Sequence, residues 1–225
     1  MRASQLIAHL RKKGKEKNKL SMAAFGINIK TAYGVPIPEL RRLARNIGTH
    51  HSLAMDLWNT QVHEARILAA YLDDPLKVSE KQMEDWVKAF NSWDLCDQVC
   101  GNLFDRTDLA HRKAIEWSRR KEEYVKRAGF VLMATLAVHD TRANAAAFEK
   151  FFPIIIREAN DDRNFVKKAV NWALRQIGKR SLRLNKGALI VCNRISEMNS
   201  SSAKWIASNA KWELESEKVQ KRLKE

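Results

Sequence analysis

The breaks in this chain constrain its fold more than its apolar residues do. Asp73-Asp74-Pro75, Asp105-Arg106-Thr107, His139-Asp140-Thr141, Asn160-Asp161-Asp162 and Asn199-Ser200 are turn and cap residues. Each stands between two segments of helical apolar periodicity, and no segment sustains the period-two alternation of a strand. Helices are therefore expected over 51–58, 61–72, 79–90, 93–104, 108–120, 122–138, 143–159, 163–179, 182–197, 201–213 and 216–223. Only eight Gly and four Pro punctuate the 225 residues, so the composition also points to an all-α protein. Upstream, 3–13 reads as a short amphipathic helix with Leu6, Ile7 and Leu10 inward. The run Lys12 to Lys19 is either a charged loop or the start of a second basic helix. Tyr33-Gly34-Val35-Pro36-Ile37-Pro38 is a loop closed by proline, with Pro38 suited to open a helix that Gly48 ends.

The helices carry a weak repeat. Ala65-Arg66-Ile67-Leu68-Ala69, Lys126-Arg127-Ala128-Gly129-Phe130, Lys167-Lys168-Ala169-Val170-Asn171 and Ala203-Lys204-Trp205-Ile206-Ala207 each place a basic residue before apolar ones. Arg127, Lys168 and Lys204 are 41 and 36 positions apart, near the roughly 40-residue period of HEAT-type helical pairs. Such pairs cannot bury their faces alone and stack into a curved solenoid with a concave surface. The expected architecture is therefore a superhelical solenoid of HEAT-like antiparallel helix pairs, a compact irregular bundle being the alternative. It is expected as a single repeat domain over 1–225, with a basic helical segment at 1–30 and the array at 31–225.

Charge is unevenly placed along a chain whose net formal charge is +15. Residues 1–30 carry a net +7, residues 31–162 a net −2 and residues 163–225 a net +10. Two basic ends around a near-neutral middle suit a polyanion held at two places, although surface Lys also serves solubility. No run of 18 apolar residues occurs, which argues against a membrane span. The start, Met1 to Leu20, is basic without an apolar core and does not read as a secretory signal. Cys96, Cys100 and Cys192 are sparse and lack partners at metal-ligand spacing, so they read as reduced core thiols of an intracellular, cytoplasmic protein. His63, His111 and His139 are scattered, and no metal site is expected.

Three helices hold the groups that could carry chemistry. In Ser92-Trp93-Asp94-Leu95-Cys96-Asp97, Ser92 suits an N-cap. Leu95, Val99 and Leu103 line one face, and Trp93, Asp97, Cys100 and Phe104 line another. Asp97 is the one carboxylate in that second stripe and is paired, capped or kept for chemistry. On the helix from Glu122, Arg127 sits beside small and apolar residues. On the helix from Arg163, Lys168, Trp172, Arg175 and Lys179 share one face, opposite Val166, Val170, Ala173, Leu174 and Ile177. Trp172 there is either an exposed aromatic among cations, as used against sugar or base, or a ring covered by Lys and Arg stems. Trp205 and Trp212 read as core or capping-helix residues.

Trp93-Asp94-Leu95-Cys96-Asp97, Lys126-Arg127-Ala128-Gly129-Phe130, Lys168-Ala169-Val170-Asn171-Trp172-Ala173-Leu174-Arg175 and Tyr33-Gly34-Val35-Pro36-Ile37-Pro38-Glu39-Leu40-Arg41 together resemble the AlkD-like DNA alkylation repair glycosylases. The resemblance spans roughly residues 30 to 215. It implies a superhelix of HEAT-like repeats whose basic concave face holds duplex DNA. It further implies Asp97 as catalytic aspartate, Trp93 and Trp172 as groove-facing tryptophans and Arg127 as functional arginine, all facing one groove. Phe25 and Tyr33 are both candidates for the aromatic that some members use at the DNA. Lys126, Lys168, Arg175 and Lys179 are assigned to phosphates.

The implied activity is base excision repair. A monomeric hydrolase would release 3-methyladenine or 7-methylguanine from alkylated double-stranded DNA in the nucleoid, with no metal or nucleotide cofactor. A purine alkylated at N3 or N7 leaves as a neutral base, so positive charge develops on the deoxyribose and a carboxylate stabilises it. The rival readings are a HEAT-repeat DNA binder without catalysis and a protein-binding scaffold.

Overall fold

The computed structural model of the protein describes residues 2–224. Among them lie fifteen α-helices and no strand: α1 (Ala3–Lys13), α2 (Glu16–Ala24), α3 (Ile37–Ile47), α4 (His51–Asn59), α5 (His63–Leu72), α6 (Glu80–Lys88), α7 (Trp93–Asn102), α8 (Ala110–Ser118), α9 (Glu123–His139), α10 (Ala145–Glu149), α11 (Phe152–Glu158), α12 (Asn164–Gly178), α13 (Leu182–Ser196), α14 (Ser201–Leu214) and α15 (Glu217–Lys224). No helix among the described residues is long and apolar enough to cross a membrane. The expected all-α fold of HEAT-like helix pairs is what the chain adopts.

Two local expectations are corrected and one left open is decided. The segment 143–159 divides into α10 and α11, because Pro153 sits in the first turn of α11 and cannot continue a preceding helix. The 93–104 helix ends at Asn102 and gives way to a single 3-10 turn at Phe104–Arg106. The run Lys12–Lys19 resolves as a break at Gly14 followed by a second helix, α2.

The contacts divide the chain into two compact units, one ending at Thr107 and one beginning at Asp108. In the first, α5 packs against α3, α4 and α7. Eight of its ten residues are buried, so no single neighbour could cover it. Trp58 of α4 and Trp86 of α6 stack face to face with centroids 3.9 Å apart, and Arg66 of α5 lies 4.9 Å over the Trp58 ring.

The polar ties in this unit join groups about 30 positions apart. Glu64, buried at the start of α5, accepts hydrogen bonds from the backbone N–H groups of Tyr33, Gly34 and Val35 at 2.6 to 3.2 Å. Gly34 has a φ of +80°, and a Cβ there would stand 2.3 Å from the Lys15 carbonyl. Only glycine allows the loop to present its amides while touching the N-terminal segment so closely.

In the second unit α9 is apolar around most of its circumference, with twelve of seventeen residues buried, and it packs between α8 and α12. Gly129 lets α8 approach: a Cβ there would meet the Ser118 backbone nitrogen at 2.5 Å. Helix α12 in turn packs against α9, α11, α13 and α14.

The roughly 40-residue repeat is written in the hydrogen bonds of this unit. Arg127 to Phe165, Asn171 to Asn209 and Arg175 to Glu213 each join residues 38 apart. Arg180 reaches the Ala137 and Asp140 carbonyls, 43 and 40 positions back, and Arg222 reaches Lys179, 43 back. A second recurrence is a His–Asp lock closing a helix pair. His51 of α4 meets Asp73 at the end of α5 at 2.6 Å, and His111 of α8 meets Asp140 at the end of α9 at 3.0 Å.

Replacing Glu64 by Ala strands three backbone donors in the interior, where each unsatisfied group costs about 1–3 kcal/mol. Glu64→Ala is therefore expected to lower unfolding stability by about 3 kcal/mol in urea titrations. Glu64→Gln, which keeps one acceptor oxygen, is expected to fall between the variant and wild type.

Candidate functional site

Helix α7 carries the two sequence-predicted residues of the first unit. Ser92 precedes it in extended conformation but makes no cap bond from its side chain, so its expected N-cap role is met by backbone geometry alone. Trp93 opens the helix half-buried, and its Nε1–H donates to the Phe25 carbonyl at 2.9 Å. That bond holds the indole beside the end of α2, where the Phe25 ring is itself 70% exposed. Of the two aromatics proposed for the N-terminal segment, Phe25 is thus the one attached to Trp93. Tyr33 is half-buried under the Arg11 guanidinium, 5.5 Å from its ring.

Asp97 lies one turn further on and is also half-buried. The rest of its stripe, Cys100 and Phe104, is fully covered. The stripe is therefore split: its first half reaches the surface of α7 and its second half enters the core. Burial pushes the Cys100 thiol well above its ordinary value, and Cys96 and the Asp97 charge push it the same way. Both cysteines are free thiols within the core, as expected, and Cys100 is held protonated.

The other carboxylate of the motif has a different task. Asp94 turns toward α5 and accepts from His63 Nε2 at 2.8 Å. Burial works to raise the Asp94 carboxyl, but the hydrogen bond and charge of His63 outweigh it and hold the group below the ordinary aspartate value. The sequence gives no sign of the His63–Asp94 pair or of the amides around Glu64, because the partners are about 30 residues apart and no local spacing marks them. A cavity of about 320 Å³ opens beside them, lined by Trp93, Asp94, His63, Glu64, Ile67 and Gln98 among others. Among the described residues, no three His, Cys, Asp or Glu side chains converge as a metal site.

In the second unit, Arg127 on α9 is only 5% exposed, and its Nη1–H donates to the Phe165 carbonyl in the first turn of α12. Lys126 beside it is paired with Glu158 and lies 3.4 Å from Asp161. On α12, Lys168 is exposed and Trp172 half-buried. Arg175 and Lys179 share Glu213 of α14, each at 2.6 Å. Of the four lysine and arginine side chains assigned to phosphates, three are thus engaged in ion pairs within the unit, and Lys168 is the one with its side chain turned to solvent. The opposite face of α12, from Val166 to Ile177, enters the core as expected.

Consecutive helix pairs, tied at a near-constant spacing and stacked through their second members, define a HEAT-like helical repeat protein. The chain belongs to the DNA alkylation repair enzyme family, whose profile matches residues 6–204. Among solved structures it is similar to one described as "a new family of proteins related to the HEAT-like repeat DNA glycosylases with affinity for branched DNA structures". That match has a TM-score of 0.80 at 18% identity, covering 99% of this chain and 96% of the other. No curated protein matches the chain.

The His63–Asp94 pair has a defined pH signature. A carboxyl depressed in the folded state contributes its stability above the unfolded value, and loses it as the pH falls through the folded one. Asp94→Ala is expected to cost about 2 kcal/mol at neutral pH. The gap from wild type, followed by denaturant titration, is expected to close as the pH drops below about 3.9.

Proposed function

We propose that the protein is a DNA glycosylase that excises cationic N3- or N7-alkylated purines from duplex DNA. The observation that carries this reading is the pair Trp93 and Asp97, which emerge together at the start of α7 while the rest of their stripe is buried. Asp94, which could compete for the role, is committed to His63.

In the proposed reaction the C1′–N bond breaks and its electron pair leaves with the purine, which departs neutral. Positive charge develops at C1′ and O4′ of the deoxyribose, and the Asp97 carboxylate stabilises it. Water adds to C1′ and gives up its proton, with Asp97 positioned to accept it. The face of Trp93 attracts the cationic lesion nucleotide. In the second unit, Trp172 is assigned to the sugar-phosphate surface, with Lys168 contacting phosphate. Arg127 receives the family's functional-arginine role through the resemblance alone; its bond to Phe165 makes it a positioning group for the first turn of α12. Arg175 and Lys179 keep their phosphate assignment only if DNA displaces or shares their partner Glu213.

A second reading has its own support. The structural relative is described by affinity for branched DNA, and the ion pairs of Lys126, Arg175 and Lys179 are those of a fold holding itself together. In this reading the chain binds DNA without catalysis.

Base release separates the two. Wild type is expected to liberate 7-methylguanine or 3-methyladenine from methylated duplex DNA. Asp97→Asn is expected to lower the rate about 10²–10³-fold, the scale of one lost electrostatic stabiliser, while retaining DNA binding. Binding without release by wild type sinks the glycosylase reading in favour of the binder. Lys168→Ala is expected to reduce the slope of log binding constant against log salt by about one. An unchanged slope removes Lys168 from the interface.

A further inference from the structure

The C-terminal end of the second unit holds a cavity of about 600 Å³, lined by Arg175 and Lys179 of α12, Trp212 and Glu213 of α14, and Lys218 and Arg222 of α15. Its volume falls within the range of small-ligand sites. Four cations line it against one carboxylate, a net of +3. Glu213 is engaged with Arg175 and Lys179 at 2.6 Å each, and although burial works to raise its carboxyl, those two partners hold it below the ordinary value. It therefore stays ionised and fixes two of the cations in place. Arg222 is anchored through Nη2 to the Lys179 carbonyl at 3.3 Å, and Lys218 is exposed. Helix α15 is itself seated by the buried Val219 and by Gln220, which donates to the Leu214 carbonyl at 2.6 Å. The basic wall is thus built into the fold rather than left on a free tail.

Trp212 is the anomaly. Expected as a core or capping residue, it is 77% exposed, the most exposed large aromatic among the described residues. Trp205, one heptad earlier on the same helix and also expected as a core or capping-helix residue, is 39% exposed and has Lys167 at 5.3 Å over its ring. An indole left bare beside four cations contributes little to the core. It offers a flat π-surface next to positive charge, the pairing used to hold a base and its phosphate. An acidic peptide would match the charge but leave the indole unused. In a continuous duplex the bases are stacked on one another, so only an unpaired nucleotide can lie flat on this ring.

We propose that this cavity is a second nucleic-acid site that takes one unpaired nucleotide, its base stacked on Trp212 and its phosphate held by Lys218 and Arg222. The proposal rests on the nucleic-acid part of the reading above and not on its chemistry.

Fluorescence anisotropy of a labelled oligothymidylate tests it, with wild type, Trp212→Ala, Trp212→Phe and the double variant Lys218→Ala/Arg222→Ala. Trp212→Ala is expected to weaken binding about tenfold, within the range for one stacked base, and Trp212→Phe to retain most of the affinity. The double variant is expected to lower the salt slope by about 1.4, two phosphate-neutralising cations on a single strand. Equal loss in both tryptophan variants, or loss in neither, overturns the proposal. So does a change in oligomeric state of Trp212→Ala by light scattering without loss of oligonucleotide binding, which makes the indole a protein contact. The base-release assay keeps the two readings apart. Release by wild type with no Trp212 effect ends this proposal alone, and a Trp212 effect without release ends the glycosylase reading alone.

Discussion

A helix that is apolar on most of its circumference has to be covered from several sides, and α5 and α9 are such helices. Each is the second member of a pair, and its first partner covers only one flank. Burying a Leu, Val or Phe side chain is worth about 1.5–3 kcal/mol, so leaving the other flanks in water would cost more than a domain's net stability. Stacking on the next pair is the remaining solution. In the first unit α5 is enclosed by α3, α4 and α7, and in the second α9 and α12 cover each other. Polar residues of these helices bridge one pair to the next, as Arg127, Asn171 and Arg175 do at a constant separation of 38 residues.

That stacking positions the candidate functional groups. The surface left to a second helix is a narrow strip, and charged or aromatic groups on the strip are held by the pairs on either side. Trp93 and Asp97 lie on such a strip of α7, and Lys168 and Trp172 on one of α12. The two aspartates of α7 show how three positions of helix decide a role. Asp94 points back to α5 and pairs with His63, whereas Asp97, equally half-buried, lies on the stripe of Trp93. The two tryptophans of α14 differ in the same way: Trp205 is partly shielded by Lys167, and Trp212 stands bare beside α15.

Much of the candidate site was legible because its residues are marked by local spacing. Trp93 with Asp97, and Lys168 with Trp172 and Arg175, fall at helical steps that any one helix displays. What the spacing concealed was the use of each charge. Lys126, Arg175 and Lys179 read as phosphate ligands, and their spacing gave no sign of Glu158, Asp161 and Glu213 opposite them. Glu64 gave no sign of the three amides that surround it, since those belong to a loop 30 residues earlier. Ion pairs and amide nests between repeats depend on register, and register follows from how the apolar faces mesh.

The sequence by itself determined most of the helices and breaks, the roughly 40-residue repeat and the apolar faces turned inward. These are properties of periodicity and turn chemistry, which operate over a few residues. It also held enough motif to resemble the repair family to which the chain belongs. Only the tertiary structure decided which carboxylates are spent on histidines, amides and lysines, which cations remain in solvent, and that Trp212 is exposed. Those outcomes turn on contacts between residues 22 to 43 positions apart, and a pattern that repeats within one helix carries no information about what the next helix places against it.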